Sequence, residues 1–163
     1  MGSTTFSGPV TSEDGFVGDL TGNVTGNLTG NVTGNVTGNI ANPTFTHTPA
    51  AINATATATA AQIATGYIKS TSAAATTITL PTGTLLGTAL GAVQGTVFDL
   101  YVDNTAGASL VTMAVAVNGI KSALGAAVAA SAGLLTVPSG VTGQARFTLM
   151  FSSATAYTFT RTA

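Results

Sequence analysis

From residue 63 onward, apolar and polar positions alternate in short runs, the pattern of half-buried strands. Residues 96–103 place Phe98, Leu100 and Val102 on one face, with Asp99, Tyr101 and Asp103 between them. Residues 109–117 alternate again, with Val111, Met113, Val115 and Val117 predicted inward. Residues 144–152 do the same with Phe147, Leu149 and Phe151, and residues 156–161 form the last strand. Shorter strands are expected at 75–80, stopped by Pro81-Thr82-Gly83, and at 134–137, stopped by Pro138-Ser139-Gly140. A brief helix is expected over 84–92, and Asn118-Gly119 is a turn pair. Many short strands separated by turns predict a small antiparallel β-sandwich, jelly-roll-like, over residues 62–163.

A different period governs residues 16–40. Five units run Thr21-Gly22-Asn23-Val24, Thr25-Gly26-Asn27-Leu28, Thr29-Gly30-Asn31-Val32, Thr33-Gly34-Asn35-Val36 and Thr37-Gly38-Asn39-Ile40. A degenerate unit, Val17-Gly18-Asp19-Leu20, precedes them. Glycine every third residue would mean collagen, but here it recurs every fourth and without proline. A period of four is even, so an extended backbone puts Leu20, Val24, Leu28, Val32, Val36 and Ile40 on one side. A helix is disfavoured, because each interior Gly costs roughly 1 kcal/mol relative to Ala.

One such chain has an apolar stripe a single residue wide, and its backbone groups need partners. Parallel copies answer both needs, and three is the smallest number that closes around an axis and removes exposed edges. The expectation is an extended, intertwined trimeric β shaft over residues 16–40, spanning up to ~80 Å if fully extended. Residues 1–15 form a polar segment, and residues 41–61, with Pro43 and Pro49, are expected to be a linker.

Composition sharpens this picture. Only 6% of the 163 residues are charged, against about 25% in ordinary globular proteins. A surface so weakly charged suits one covered by partners, most simply by copies of itself. The net charge of −1 offers no electrostatic case for nucleic acid or for an anionic membrane surface. Cysteine is absent, which removes disulfides, thiolate catalysis and cysteine-based zinc sites. Met1-Gly2-Ser3-Thr4 lacks the basic-then-apolar order of a secretory leader, and the weakly apolar run at 123–135 is too short to span a bilayer.

Candidate chemistry is thin. The single histidine, His47, lies between Thr46 and Thr48 with no carboxylate nearby in sequence, and reads as a structural or solvated residue. The carboxylates are Glu13, Asp14, Asp19, Asp99 and Asp103. Asp99 and Asp103 share a strand face, as a glycosidase pair might, but read better as an outward solubilising row paired with Arg146 or Arg161. The repeat is no phosphate loop, since it lacks a Gly-Lys-Ser/Thr ending. No catalytic residue, cofactor or metal is expected.

Two stretches carry a family resemblance. The run Phe6-Ser7-Gly8-Pro9-Val10, then Gly15-Phe16-Val17-Gly18-Asp19 and the Thr-Gly-Asn-Val units, resembles the N-terminal shafts of bacteriophage head fibres, decoration proteins and tail fibres. The second comprises Ala60-Ala61-Gln62-Ile63-Ala64-Thr65-Gly66, Ile78-Thr79-Leu80-Pro81-Thr82-Gly83 and the segment from Gly95 to Thr105. It is similar to a small β-sandwich domain of phage virion proteins. Together they cover most of the chain, apart from the linker.

The resemblance implies a trimeric virion protein on the outer surface of a phage particle. The first expectation is a capsid decoration protein or head fibre, anchored to the major capsid protein or another virion protein through residues 1–15, with Phe6, Pro9 and Val10 as contacts. The alternative is a short tail fibre or adhesin for a host glycan or receptor, with Tyr67, Tyr101 and Tyr157 as candidate exposed aromatics. The row Thr55, Thr57, Thr59 also raises an ice-binding surface, which would need a longer regular array.

Overall fold

The structure, a computed structural model, describes residues 44–121 and 135–162. It is β-rich. The chain divides into units Met1–Asn42 and Pro43–Ala163, and the fold below belongs to the second.

Among the described residues, ten strands form two sheets. The strands are β1 (Ala50–Ala51), β2 (Ala56–Thr57), β3 (Tyr67–Lys69), β4 (Thr76–Thr79), β5 (Val97–Asp103), β6 (Val111–Ala114), β7 (Gly119–Lys121), β8 (Thr136–Val137), β9 (Gln144–Ser153) and β10 (Ala156–Arg161). The larger sheet has the order β1-β3-β5-β9-β10-β7, and the smaller β2-β4-β6-β8.

Successive described strands up to β9 alternate between the sheets. From β1 to β6 each return to a sheet runs in the same direction as the strand before it. Neighbours among these first six strands are therefore one strand apart in sequence and parallel: β1 with β3, β3 with β5, β2 with β4, β4 with β6. β7 also joins β10 in parallel. Only β5–β9, β9–β10 and β6–β8 are antiparallel among the described pairs. This corrects the antiparallel expectation. Alternation within a strand reports which residues face inward, but the partner is chosen by the path of the loops.

Two α-helices lie on that path among the described residues. Thr59 caps α1 (Ala60–Ala64) in a capping box: its hydroxyl accepts from the Gln62 N–H at 3.1 Å, and the Gln62 side chain accepts from the Thr59 N–H at 2.8 Å. Thr82 caps α2 (Gly83–Leu90), which ends at Gly91 in the left-handed conformation. Gly83 and Gly87 share one face of α2, and a Cβ on either would collide with backbone carbonyls of the β9–β10 turn, at Thr155 and Ala154. The helix and that hairpin touch because these two side chains are missing.

One hydrophobic core draws on both sheets. Ile78, Val111, Met113 and Val137 come from the smaller sheet, and Leu100, Val102, Phe147, Leu149 and Phe159 from the larger. Phe147 and Phe159 stack with ring centroids 4.8 Å apart. The predicted inward triads of β5 and β9 are buried or half-buried, and Asn118 turns the chain at φ 63.

Three expectations change. Residues 44–61 are no linker: β1 and β2 form edges of the two sheets, with Ile52 and Ala58 buried. Small Ala and Thr residues suit short edge strands as well as loops. Val117 is 70% exposed, because β6 stops at Ala114 and the chain turns before reaching it. The three threonines have separate tasks. Thr55 accepts from the Thr77 N–H, Thr57 lies in β2, and Thr59 caps α1.

Candidate functional site

The outward face of the larger sheet is built from the odd positions of β3 and β5 and the even positions of β9. The register places Tyr67, Tyr101 and Arg146 in one row across three strands, with Lys69, Asp103 and Gln144 in the next. Apart from Lys69, these residues line an open cleft of about 290 Å³, walled by Tyr67, Tyr101, Val102, Asp103, Gln144, Ala145 and Arg146.

Asp103 organises one end. Its Oδ2 accepts from the Tyr67 hydroxyl at 2.8 Å, and its Oδ1 accepts from the Thr105 N–H at 2.9 Å and the Thr105 hydroxyl at 2.6 Å. Asp103 is only 8% exposed. Burial pushes its carboxyl up, but the Thr105 and Tyr67 hydrogen bonds and the Lys69 charge outweigh that and hold it below the ordinary carboxylate value. The Tyr67 phenol is pushed up, first by its own burial and then by its bond to the Asp103 carboxylate and that group's charge. Asp103 is thus a buried, bonded carboxylate, not the solvated row member expected from its position in β5.

Asp99 does meet Arg146, at 3.1 Å, and accepts from the Thr148 hydroxyl at 2.7 Å. Cleaving a glycoside requires one carboxylic acid that keeps its proton. Asp103 is tuned the opposite way.

His47 supports the site from the side. Its Nδ1–H donates to the Thr65 carbonyl at 2.8 Å, and its ring centroid lies 5.9 Å from that of Tyr101. The imidazole lies over Gly66, where a Cβ would come within 2.7 Å of the ring and the backbone has φ +74. Glycine is required there on both counts. His47 is structural, and it steadies an aromatic ring of the cleft.

Of the three candidate aromatics, the fold brings Tyr67 and Tyr101 together and removes Tyr157. Tyr157 is 1% exposed, donates to the Pro81 carbonyl at 3.1 Å and packs on Phe151. It shares the buried face of β10 with Phe159, an alternation visible in the sequence. Gln144 and Arg146 were passed over as cleft residues; their signal was position, alternating with the buried Ala145 and Phe147. The shaft residues Leu20, Val24, Leu28, Val32, Val36 and Ile40, and the anchoring residues Phe6, Pro9 and Val10, lie outside the described residues.

Among the described residues no group of three His, Cys, Asp or Glu is placed to hold a metal ion, and no helix is long and apolar enough to cross a membrane. Comparison with known family models, with curated proteins and with solved structures gave no match.

Proposed function

We propose that this chain is a structural, non-enzymatic component of a virus particle. More particularly, it is a homotrimeric capsid decoration protein or head fibre on the outer shell of a bacteriophage. The observation that carries this reading is the run of five Thr-Gly-Asn-aliphatic units from Thr21 to Ile40, directly ahead of the β-rich unit. Three copies meeting along Leu20, Val24, Leu28, Val32, Val36 and Ile40 bury a stripe that one chain leaves bare. The two sheets then form a sandwich held away from the shell, and residues 1–15 bind the major capsid protein or another virion protein. Three weak anchors acting together raise the effective binding strength by avidity.

Sedimentation of the intact chain tests the trimer, and a monodisperse monomer overturns it. Replacing Leu28 and Val32 together by Asp places like charges near the axis in every copy. Unpaired buried charge costs about 3–5 kcal/mol, so the variant is expected to sediment as a monomer. Adding the chain with and without residues 1–15 to particles lacking it tests the anchor: equal binding places the anchor elsewhere.

The second reading, a tail fibre or adhesin, is favoured by one observation: an aromatic-lined cleft open to solvent beside an arginine and a glutamine. Imaging particles labelled on this chain separates the two by placing the label on shell or tail.

A further inference from the structure

We infer that the cleft between β3, β5 and β9 is a binding site for a neutral saccharide, with Tyr101 as its stacking platform and Asp103, Gln144 and Arg146 as its hydrogen-bonding rim. The inference deepens the second reading above by naming a ligand class for the same cleft, and its chemistry holds for either location of the chain.

The aromatic part comes first. Tyr101 is 37% exposed on a strand whose alternate residues Leu100 and Val102 are fixed in the core. Its backbone N–H donates to the Gly66 carbonyl at 2.9 Å, and the His47 ring stands beside it. The ring is therefore held at the surface by the sheet and not by a mobile loop. An aromatic face carries partial negative charge. The C–H groups on one side of a pyranose ring carry partial positive charge and match it.

The polar part selects what surrounds those C–H groups. A carboxylate offers about four acceptor sites. Asp103 uses three, for Tyr67 and for the two Thr105 donors, which leaves one on Oδ2 for a ligand hydroxyl. Gln144 is exposed beside it and supplies both donors and an acceptor. Arg146, 47% exposed in its side chain, supplies donors at the other end. Mixed donors and acceptors around one flat apolar face are what a ring of C–H groups edged by hydroxyls requires.

Charge then decides between neutral and ionic sugars. The groups around the cleft are Asp99 and Asp103, against Lys69 and Arg146. Arg146 is already paired with Asp99, and the Lys69 charge acts on Asp103. With the positive and negative groups balanced, the site has no surplus for a carboxylated or phosphorylated ligand. Its volume of about 290 Å³ lies just below the roughly 300–1,000 Å³ typical of small-molecule sites, and its open side leaves room for a short saccharide.

The test is calorimetric titration of the intact chain with maltotriose, cellotriose, lactose and chitotriose, with sialyllactose as the acidic comparator. At least one neutral sugar is expected to bind with a millimolar or tighter dissociation constant, and more tightly than sialyllactose. Tyr101→Ala is expected to weaken that binding about tenfold, whereas Tyr101→Phe retains it and Met150→Ala, outside the cleft, leaves it unchanged. Near-ultraviolet dichroism verifies that each variant keeps its fold. Failure of every neutral sugar to bind, preference for sialyllactose, or undiminished binding by Tyr101→Ala overturns the proposal. Sedimentation of the same samples reports assembly separately, so loss of the trimer and loss of sugar binding are told apart.

Discussion

The two faces of strands β5 and β9 place opposite chemistry a few ångströms apart. Inward, Leu100, Val102, Phe147 and Leu149 are at most 1% exposed and meet Phe159 and the smaller sheet. Outward, Asp99, Tyr101, Asp103, Gln144, Arg146 and Thr148 make an ion pair, a hydrogen-bonded carboxylate and an open cleft. The same backbone hydrogen bonds carry both sets. Stability therefore resides on one face, and the other is free to carry recognition at little cost to the fold.

The sharpest way to break that division is to truncate one aromatic on each side. Phe147→Ala removes a ring stacked on Phe159 and opens a cavity in the core, with an expected loss of about 3–5 kcal/mol in denaturant unfolding. Tyr101→Ala, in the adjacent row of the same sheet, is expected to stay within about 0.5 kcal/mol of the parent. Comparable losses from the two would show that the outer face also holds the fold.

A smaller effect separates the faces by alkaline pH. Burial pushes the Tyr157 phenol up to about 12 from 10.0. Between those values the unfolded chain releases a proton that the folded chain retains, so stability is present below pH 10 and is lost as pH rises toward 12. Tyr157→Phe is expected to lose about 1 kcal/mol at neutral pH with its bond to the Pro81 carbonyl. The variant also lacks the tyrosine's share of the alkaline decline, which stability measured against pH will show.

The smallest effect lies at acid pH. Asp103 is held below its ordinary value of 3.8, so its contribution is present above that value and is lost as pH falls through the folded value. Tyr67→Phe removes one of the bonds that lower it. The variant is expected to lose less stability than the parent over that acid range. An unchanged difference between the two would mean that Thr105 and the Lys69 charge set the carboxylate without Tyr67.

Local pattern was enough to read much of this. Alternation identified Phe98, Leu100 and Val102 and then Phe147, Leu149 and Phe151 as inward, because a pleated strand turns successive side chains to opposite faces. It implied the outward row Asp99, Tyr101 and Asp103 by the same rule. The Asn118-Gly119 turn and the helix near 84–92 were equally local. The four-residue repeat and the scarcity of charge are likewise properties of the chain, and they carry the proposed assembly.

What local pattern left open depended on where distant segments meet. Nothing near Asp103 announces that Tyr67 will donate to it from a parallel strand, or that His47 will reach the Thr65–Gly66 turn and stand beside Tyr101. Those meetings follow from a chain that alternates between two sheets, which sets parallel neighbours side by side and recruits residues 50–57 as edges. Burial of Asp103 followed too, since exposure is a property of the packed neighbours of a side chain. A strand can specify which way its residues point, but the residues that meet them are supplied by the path of the whole chain.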